Sequence, residues 1–200
     1  MQPLITTKLA DTDQEINDLL AARWSPRTFS FNELNVQTIM RLFEAARWAP
    51  SSNNIQPWRF TYGRKGTDAY DKIFDCLVPF NQGWAINAPL LILTAIKEKM
   101  DNGKDNYHAL HDLGLAVGNL TVQAQSEGIA VHQMAGVDWD KAKKDFNIPD
   151  GYHLVSCIAV GYYGGEVGYL PEDLQGQETA ARKRKELSEI VEEGRFPMND

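Results

Sequence analysis

Apolar positions along this chain change their spacing several times, and each change marks an element. Ile39, Leu42, Phe43 and Ala46 recur at i, i+3, i+4 and i+7, which predicts a helix over 36–48 that Pro50 stops. Thr12 and Glu15, in capping-box spacing ahead of Ile16, Leu19 and Leu20, predict an earlier helix over 13–23. A short strand is expected at 58–62, a helix at 68–77, and at 89–96 a continuous apolar run that reads as a central strand buried on both faces. The long helix expected over 105–127, ended by Gly128, is apolar nearly all round. Leu110, Leu113, Leu115, Val117, Leu120 and Val122 alternate with Gly114, Ala116, Gly118 and Ala124. Such a helix must be covered on every side, by its own sheet and by a partner chain. Strands at 129–134 and 154–161 flank a helix near 139–146, and the stretch 161–176 is rich in Gly, Tyr and Pro with little periodicity. A helical Leu187, Ile190, Val191 pattern closes the chain.

Two hundred residues with 43% hydrophobic and 24% charged residues suit one globular domain over 1–200, and neither a repeat nor a linker is visible. The net charge of −7 argues against non-specific binding to nucleic acid or to anionic membranes. Small molecules are the expected ligands. No run reaches the length of a membrane span and Met1 to Ala10 carry no signal-peptide pattern, so a cytoplasmic location is expected. Cys76 and Cys157 lie far apart in apolar runs and read as buried free thiols.

Three stretches carry candidate chemistry. Pro50, Ser51, Ser52, Asn53, Asn54, Ile55, Gln56 and Pro57 place uncharged donors and acceptors between two prolines, which suits either a polar turn or the polar edge of a flat heterocycle. Arg23 and Arg27 flank Ser25 at the end of the first expected helix, where they serve equally as helix C-caps or as an anion receptor. Arg182, Lys183, Arg184 and Lys185 pose the same choice between a solvated charge run and a second half of that receptor. His108, His111 and Asp112 share one helix face, but a hydrolytic metal motif needs a further distant ligand. The glycines at 161, 164, 165 and 168 lack dinucleotide-binding spacing.

These stretches together resemble the nitroreductase-like family of FMN enzymes, over about residues 23–191. Arg23-Trp24-Ser25-Pro26-Arg27 is similar to the family's opening Arg-x-Ser-x-Arg/Lys. Residues 45–60 follow its Ala-Ala-Arg-x-Ala-Pro-Ser-Ser-x-Asn-x-Gln-Pro-Trp-x-Phe almost letter for letter. Asn81 precedes an Ala88-Pro89 strand start, Asp112-Leu113-Gly114-Leu115-Ala116 resembles the long-helix motif, Ala159-Val160-Gly161-Tyr162 the last core strand, and Arg182-Lys183-Arg184 the closing basic motif.

The resemblance implies an α+β, nitroreductase-like fold: a mixed, mainly antiparallel sheet surrounded by helices, built as an obligate homodimer with FMN between subunits. It implies that Arg23, Trp24, Ser25, Arg182 and Arg184 hold the FMN phosphate end and that Arg27 reaches the pyrimidine edge. Pro50, Ser51, Ser52, Asn54 and Gln56 would come from the partner subunit, Asn81 would bond the ring, and Gln133, Met134, Ala135 and Gly136 would lie against its reactive middle. The implied activity is ping-pong hydride transfer from NADH or NADPH through flavin N5 to a small electron acceptor such as a nitroaromatic or quinone, with no catalytic side chain of its own. The alternatives are a flavin carrier or sensor without turnover, or dehydrogenation, reductive dehalogenation or flavin cleavage on the same fold. Two departures stand out. Trp84 occupies the place where some family members carry a Lys, which implies a less oxidising flavin, and residues 133–136 replace the Pro-x-Glu-Gly of one subgroup.

Overall fold

The computed structural model describes residues 8–197. At its centre is a four-stranded sheet in the order β1-β2-β4-β3, with β1 Trp58–Arg64, β2 Leu90–Lys97, β3 Ile129–Met134 and β4 Tyr152–Tyr162. Each pairing between these strands is antiparallel, so the expected mixed character is absent among the described residues. Strand β2 lies inside and is buried along almost its whole length, as its uninterrupted apolar run requires.

Period-two alternation divides the core. Leu91, Leu93 and Ala95 of β2 face one side with Phe29, Tyr70, Ile73, Trp84, Cys157 and Ala159. Leu90, Ile92 and Ile96 face the other with Ile39, Leu42, Leu113, Val117, Leu120, Ile158 and Val160. The second side is covered by α2 Val36–Arg47 and α5 Ala109–Ser126. Asn35 caps α2 by accepting from the Thr38 N–H at 2.8 Å, and Arg41 of α2 grips Glu127 just beyond α5. The first side is covered by α3 Asp68–Asp75, α4 Pro79–Ala85 and α6 Trp139–Asp145. Cys76 and Cys157 are buried free thiols, and burial pushes Cys157 up to about 12.

The first helix is shorter than its pattern suggests. α1 spans only Asp18–Ala22, and its N-cap is Asn17, whose side chain accepts from the Leu19 N–H, rather than a Thr12/Glu15 box. No residue of α1 is buried, so Ile16, Leu19 and Leu20 lack the tertiary packing that would extend the helix. Two helices escape a periodicity reading. α4 begins on Pro79 at its first turn, and α7 Glu172–Thr179 follows Pro171 with Glu172 and Asp173 in its own first turn. The closing pattern yields a single exposed turn, α8 Leu187–Ile190. No helix among the described residues is long and apolar enough to cross a membrane.

Candidate functional site

The two basic clusters meet. Arg23, Trp24, Ser25 and Arg27 from the segment after α1, Arg182 and Arg184 from the segment after α7, and Lys8 line one cavity of about 280 Å³. Sequence distance is bridged by three anchors on the 23–30 segment. Tyr163, just past β4, accepts from the Trp24 N–H, donates to Gln125 at 2.6 Å and stacks its ring on Trp24. His132 of β3 bonds Pro26 O through Nδ1 at 2.8 Å. Glu178 of α7 accepts from the Arg27 N–H at 2.8 Å, the Thr28 N–H at 3.1 Å and the Thr28 hydroxyl at 3.2 Å.

The closing segment is tied down in return. Arg182 donates to Lys8 O and Ala21 O, while Lys8 donates to Ala180 O at 2.6 Å and Gln177 O and sits 4.6 Å above the Trp24 ring. Five cationic side chains thus surround a hollow with one carboxylate, Glu178, among its lining residues. Desolvation lowers the pKa of both Arg182 and Lys8. Neighbouring guanidiniums add to this, Arg23 and Arg184 for Arg182, and Arg182 and Arg27 for Lys8, while Glu178 opposes the shift at Lys8. Arg27 Nε, Arg182 Nε and Glu178 Oε2 are buried without partners. Cations crowded around one hollow make it electrostatically suited to an anion.

A second group assembles outside the lining of that cavity. Asn81 of α4 is buried and donates its amide to Gly136 O at 3.0 Å, and the Val78 N–H reaches the same carbonyl. Position 136 has no room for a side chain, because a Cβ there would lie 2.5 Å from Asn81 Nδ2 and 2.7 Å from Val78 Cγ2. Asn81 and Gly136 therefore form one packed surface, although the amide N–H given over to Gly136 serves the protein's own backbone. His132 links this surface to the basic loop through Pro26, and its ring lies 4.4 Å from that of Trp84.

Burial holds His132 down at about 4, with the charge of Arg27 adding to the effect against the bond to Pro26 O. The imidazole is neutral at pH 7, so Nδ1–H donates to Pro26 O and Nε2 is left as an acceptor. The folded pKa lies below the unfolded value, so His132 withdraws stability as pH falls from about 6.5 towards 4. Above that window its contribution is complete. We expect urea denaturation to show a loss on the order of 3 kcal/mol across it, and His132→Asn, which keeps a donor towards Pro26, to flatten that slope relative to wild type. An unchanged slope in the variant would remove His132 from this role.

The polar segment lies elsewhere in the chain. Pro50, Ser51 and Ser52 line a hollow with His108, His111, Asp112 and Leu115 that shares no residue with the basic cavity. The segment turns through a 3₁₀ element at Ser52–Asn54, and Asn53, Asn54 and Gln56 all take positive φ, at 49°, 55° and 52°. Left-handed backbone at three of four consecutive positions is costly, and the segment is braced accordingly. Ser51 Oγ accepts from the Gln56 N–H at 3.0 Å, Gln56 Nε2 donates to Asn54, and the buried Asp112 carboxylate accepts from the Ser52 N–H. His108, His111 and Asp112 do share this region, yet Asp112 serves the backbone there. Among the described residues no group of three or more His, Cys, Asp or Glu could hold a metal.

Lys8, His132, Tyr163 and Glu178 were missed by sequence reasoning. The Pro171-Glu172-Asp173 start of α7 was the available signal for Glu178, whereas nothing local distinguishes Lys8.

The nitroreductase family model matches this chain at residues 20–78 and 64–162, a stretch that carries the opening basic motif, the Pro50–Gln56 segment, Asn81 and Gly136. An uncharacterized 15.4 kDa protein of Mycolicibacterium smegmatis is 31% identical over 145 residues, 69% of this chain and 97% of that protein. A crystal structure described as an oxidoreductase containing FMN superposes with a TM-score of 0.88 at 32% identity, covering 93% of this chain and 95% of its own. A nitroreductase family protein from Clostridium difficile shares the fold at a TM-score of 0.69 and 21% identity, over 89% and 97% of the two chains. With its motifs gathered onto one antiparallel scaffold and matched across most of its length, this chain belongs to the nitroreductase family.

Proposed function

We propose that the protein is an FMN-dependent NAD(P)H oxidoreductase, and the observation that carries this reading is the cavity where both ends of the chain converge. A flavin phosphate brings about −1.5 to −2 charges, which suits the crowded Lys8, Arg23, Arg182 and Arg184 set. When bound, FMN supplies hydride chemistry at N5, taking from NADH or NADPH and giving to a small acceptor such as a nitroaromatic or quinone. The chain's task is to hold and orient. Arg23, Ser25, Arg182 and Arg184 grip the phosphate beside Trp24, and Arg27 places positive charge at the pyrimidine edge. Asn81, already fixed to Gly136, forms the bed for the ring with Gln133, Met134 and Ala135.

In this reading the working unit is a homodimer. The inner face of α5 is buried through Leu113, Ala116, Val117, Leu120 and Ala124, while Leu110, Leu115 and Val122 on its other face are exposed. Gly114 and Gly118 meet nothing there, and Trp48 at the end of α2 is 71% exposed. A second copy packing on this face would cover the apolar surface. It would also bring Pro50, Ser51, Ser52, Asn54 and Gln56 of one protomer to the flavin of the other, which accounts for a braced polar segment that shares no cavity with its own chain's basic cluster.

Anaerobic addition of NADH or NADPH to the FMN-loaded protein is expected to bleach the flavin absorbance. A flavin that stays oxidised with both nucleotides would favour a carrier or sensor instead. Arg27→Leu is expected to lower the midpoint potential more than the FMN affinity, since its charge counts most once negative charge grows on the ring. An unaltered potential would take Arg27 out of that role.

A further inference from the structure

One peptide group of the basic loop is gripped at both ends. The carbonyl oxygen of the peptide joining Pro26 to Arg27 is bonded by His132 Nδ1 at 2.8 Å, and the N–H of the same peptide donates to Glu178 Oε1 at 2.8 Å. The two grips come from different elements, β3 and α7. The proline ring fixes φ at position 26, so the freedom left to this peptide plane is the rotation that couples ψ of Pro26 to φ of Arg27, and the two bonds remove it. Arg27 is the side chain that leaves from this plane. Among the described residues its guanidinium has no hydrogen-bond partner, so its direction is inherited from the backbone. His132 is placed in turn by its surroundings. Its ring lies 4.4 Å from that of Trp84, which is buried on α4 one turn after Asn81, and its own strand runs on through Gln133 and Met134. His132 thus ties the Arg27 peptide to the strand and the helix that carry the bed of the flavin ring.

Resting on the reading of Arg27 as the cation at the pyrimidine edge, we infer that His132 is a positioning residue for the same reaction. Through its bond to the Pro26 carbonyl it sets the direction of Arg27, and with it the strength by which the Arg27 charge favours reduced flavin. A unit charge that retreats from about 4 to about 6 Å from its partner, at an effective dielectric of about 20, loses about a factor of 10 in equilibrium constant.

Midpoint potentials of the FMN-loaded protein test this, measured for wild type, Arg27→Leu, His132→Leu, His132→Asn and the double variant with leucine at both positions. Leucine fills the space of the ring without a donor, whereas asparagine puts an amide donor where Nδ1 stands. Relative to oxidised FMN, His132→Leu is expected to bind reduced FMN about 10-fold more weakly than wild type does, a drop of about 30 mV in a two-electron potential. His132→Asn should keep most of the wild-type potential, and His132→Leu should lower nothing further once Arg27 is gone. A residue that only props the fold would change FMN affinity and melting temperature without this dependence on Arg27. If Arg27→Leu lowers the potential and His132→Leu does not, the inference alone is overturned. An equal drop from His132→Leu with and without Arg27 overturns it too, as does a loss in His132→Asn as large as in His132→Leu. A potential unaltered by Arg27→Leu overturns the reading of Arg27 and this inference with it, and protein that takes up no FMN overturns the cavity reading and both. One check needs no variant to fold. Nitrogen NMR of the wild-type protein is expected to find the His132 proton on Nδ1, and a proton on Nε2 instead would overturn the inference.

Discussion

Replacing Arg23 and Arg184 together by alanine is expected to weaken FMN binding by roughly 10²- to 10⁴-fold, since two charge-assisted hydrogen bonds to a phosphate are lost at about 1.5–3 kcal/mol each. These two are the informative pair. Among the described residues the Arg23 side chain hydrogen-bonds the Ser25 hydroxyl at 3.3 Å and that of Arg184 the adjacent Lys183 carbonyl, so their removal breaks no hydrogen bond between distant segments. Arg182 is a poorer probe because it also ties Lys8 and Ala21 together. The melting temperature without cofactor should hold steady or rise, since two crowded like charges are removed. Riboflavin, which lacks the phosphate, should bind wild type and double variant with similar affinity. An unchanged FMN dissociation constant would contradict the phosphate assignment, and an equal loss for riboflavin would point to a general collapse of the site.

Gly63→Ala is expected to be among the most damaging single substitutions for folding. Gly63 of β1 stands where the first turn of α3 crosses the sheet, and a Cβ would lie 2.2 Å from Tyr70 N, 2.4 Å from Tyr70 Cα and 2.5 Å from the Ala69 carbonyl carbon. All three are backbone atoms, so no rotamer change relieves the overlap. Neither partner can retreat cheaply. Gly63 is registered against Leu91 in the sheet, and the Tyr70 hydroxyl donates to Ala88 O at 2.9 Å while its ring stacks on Phe74. Overpacking against rigid backbone places the loss at about 4 kcal/mol or more, a large share of the 5–15 kcal/mol that usually holds a domain together. Guanidinium denaturation measures it directly. A loss below about 1 kcal/mol would mean that α3 is free to shift on the sheet.

What the residue pattern reveals is what its own neighbourhood enforces. The helix expected at 36–48 forms as α2, and the strand expected at 129–134 forms over those very residues, because α2 turns an apolar stripe to the core and the strand opens on three consecutive buried apolar residues. Strand β2 was legible for the same reason, since seven consecutive buried residues admit no amphipathic reading. The first helix shrinks to five residues because none of its apolar positions is buried. The basic residues at 23–27 and 182–184 could each be noticed, but their meeting depends on His132 and Tyr163, far from both in sequence, and on Glu178, which lies beside the second cluster and far from the first. Glu178 was hidden because α7 has no apolar stripe, being polar over most of its surface apart from Leu174. The Pro50–Gln56 segment shows the reverse case. Its composition was conspicuous, while the three left-handed residues that give it shape are set by bonds to Ser51 and Asp112 and follow from no periodicity.

A crystal structure of the protein with FMN tests the central claim most directly. The account predicts the phosphate inside the cavity, within hydrogen-bonding distance of Arg23, Arg182 and Arg184, with the ring against Gly136 and the Pro50 to Gln56 stretch of a second copy. A phosphate bound anywhere else, or a ring enclosed by one protomer alone, would contradict it.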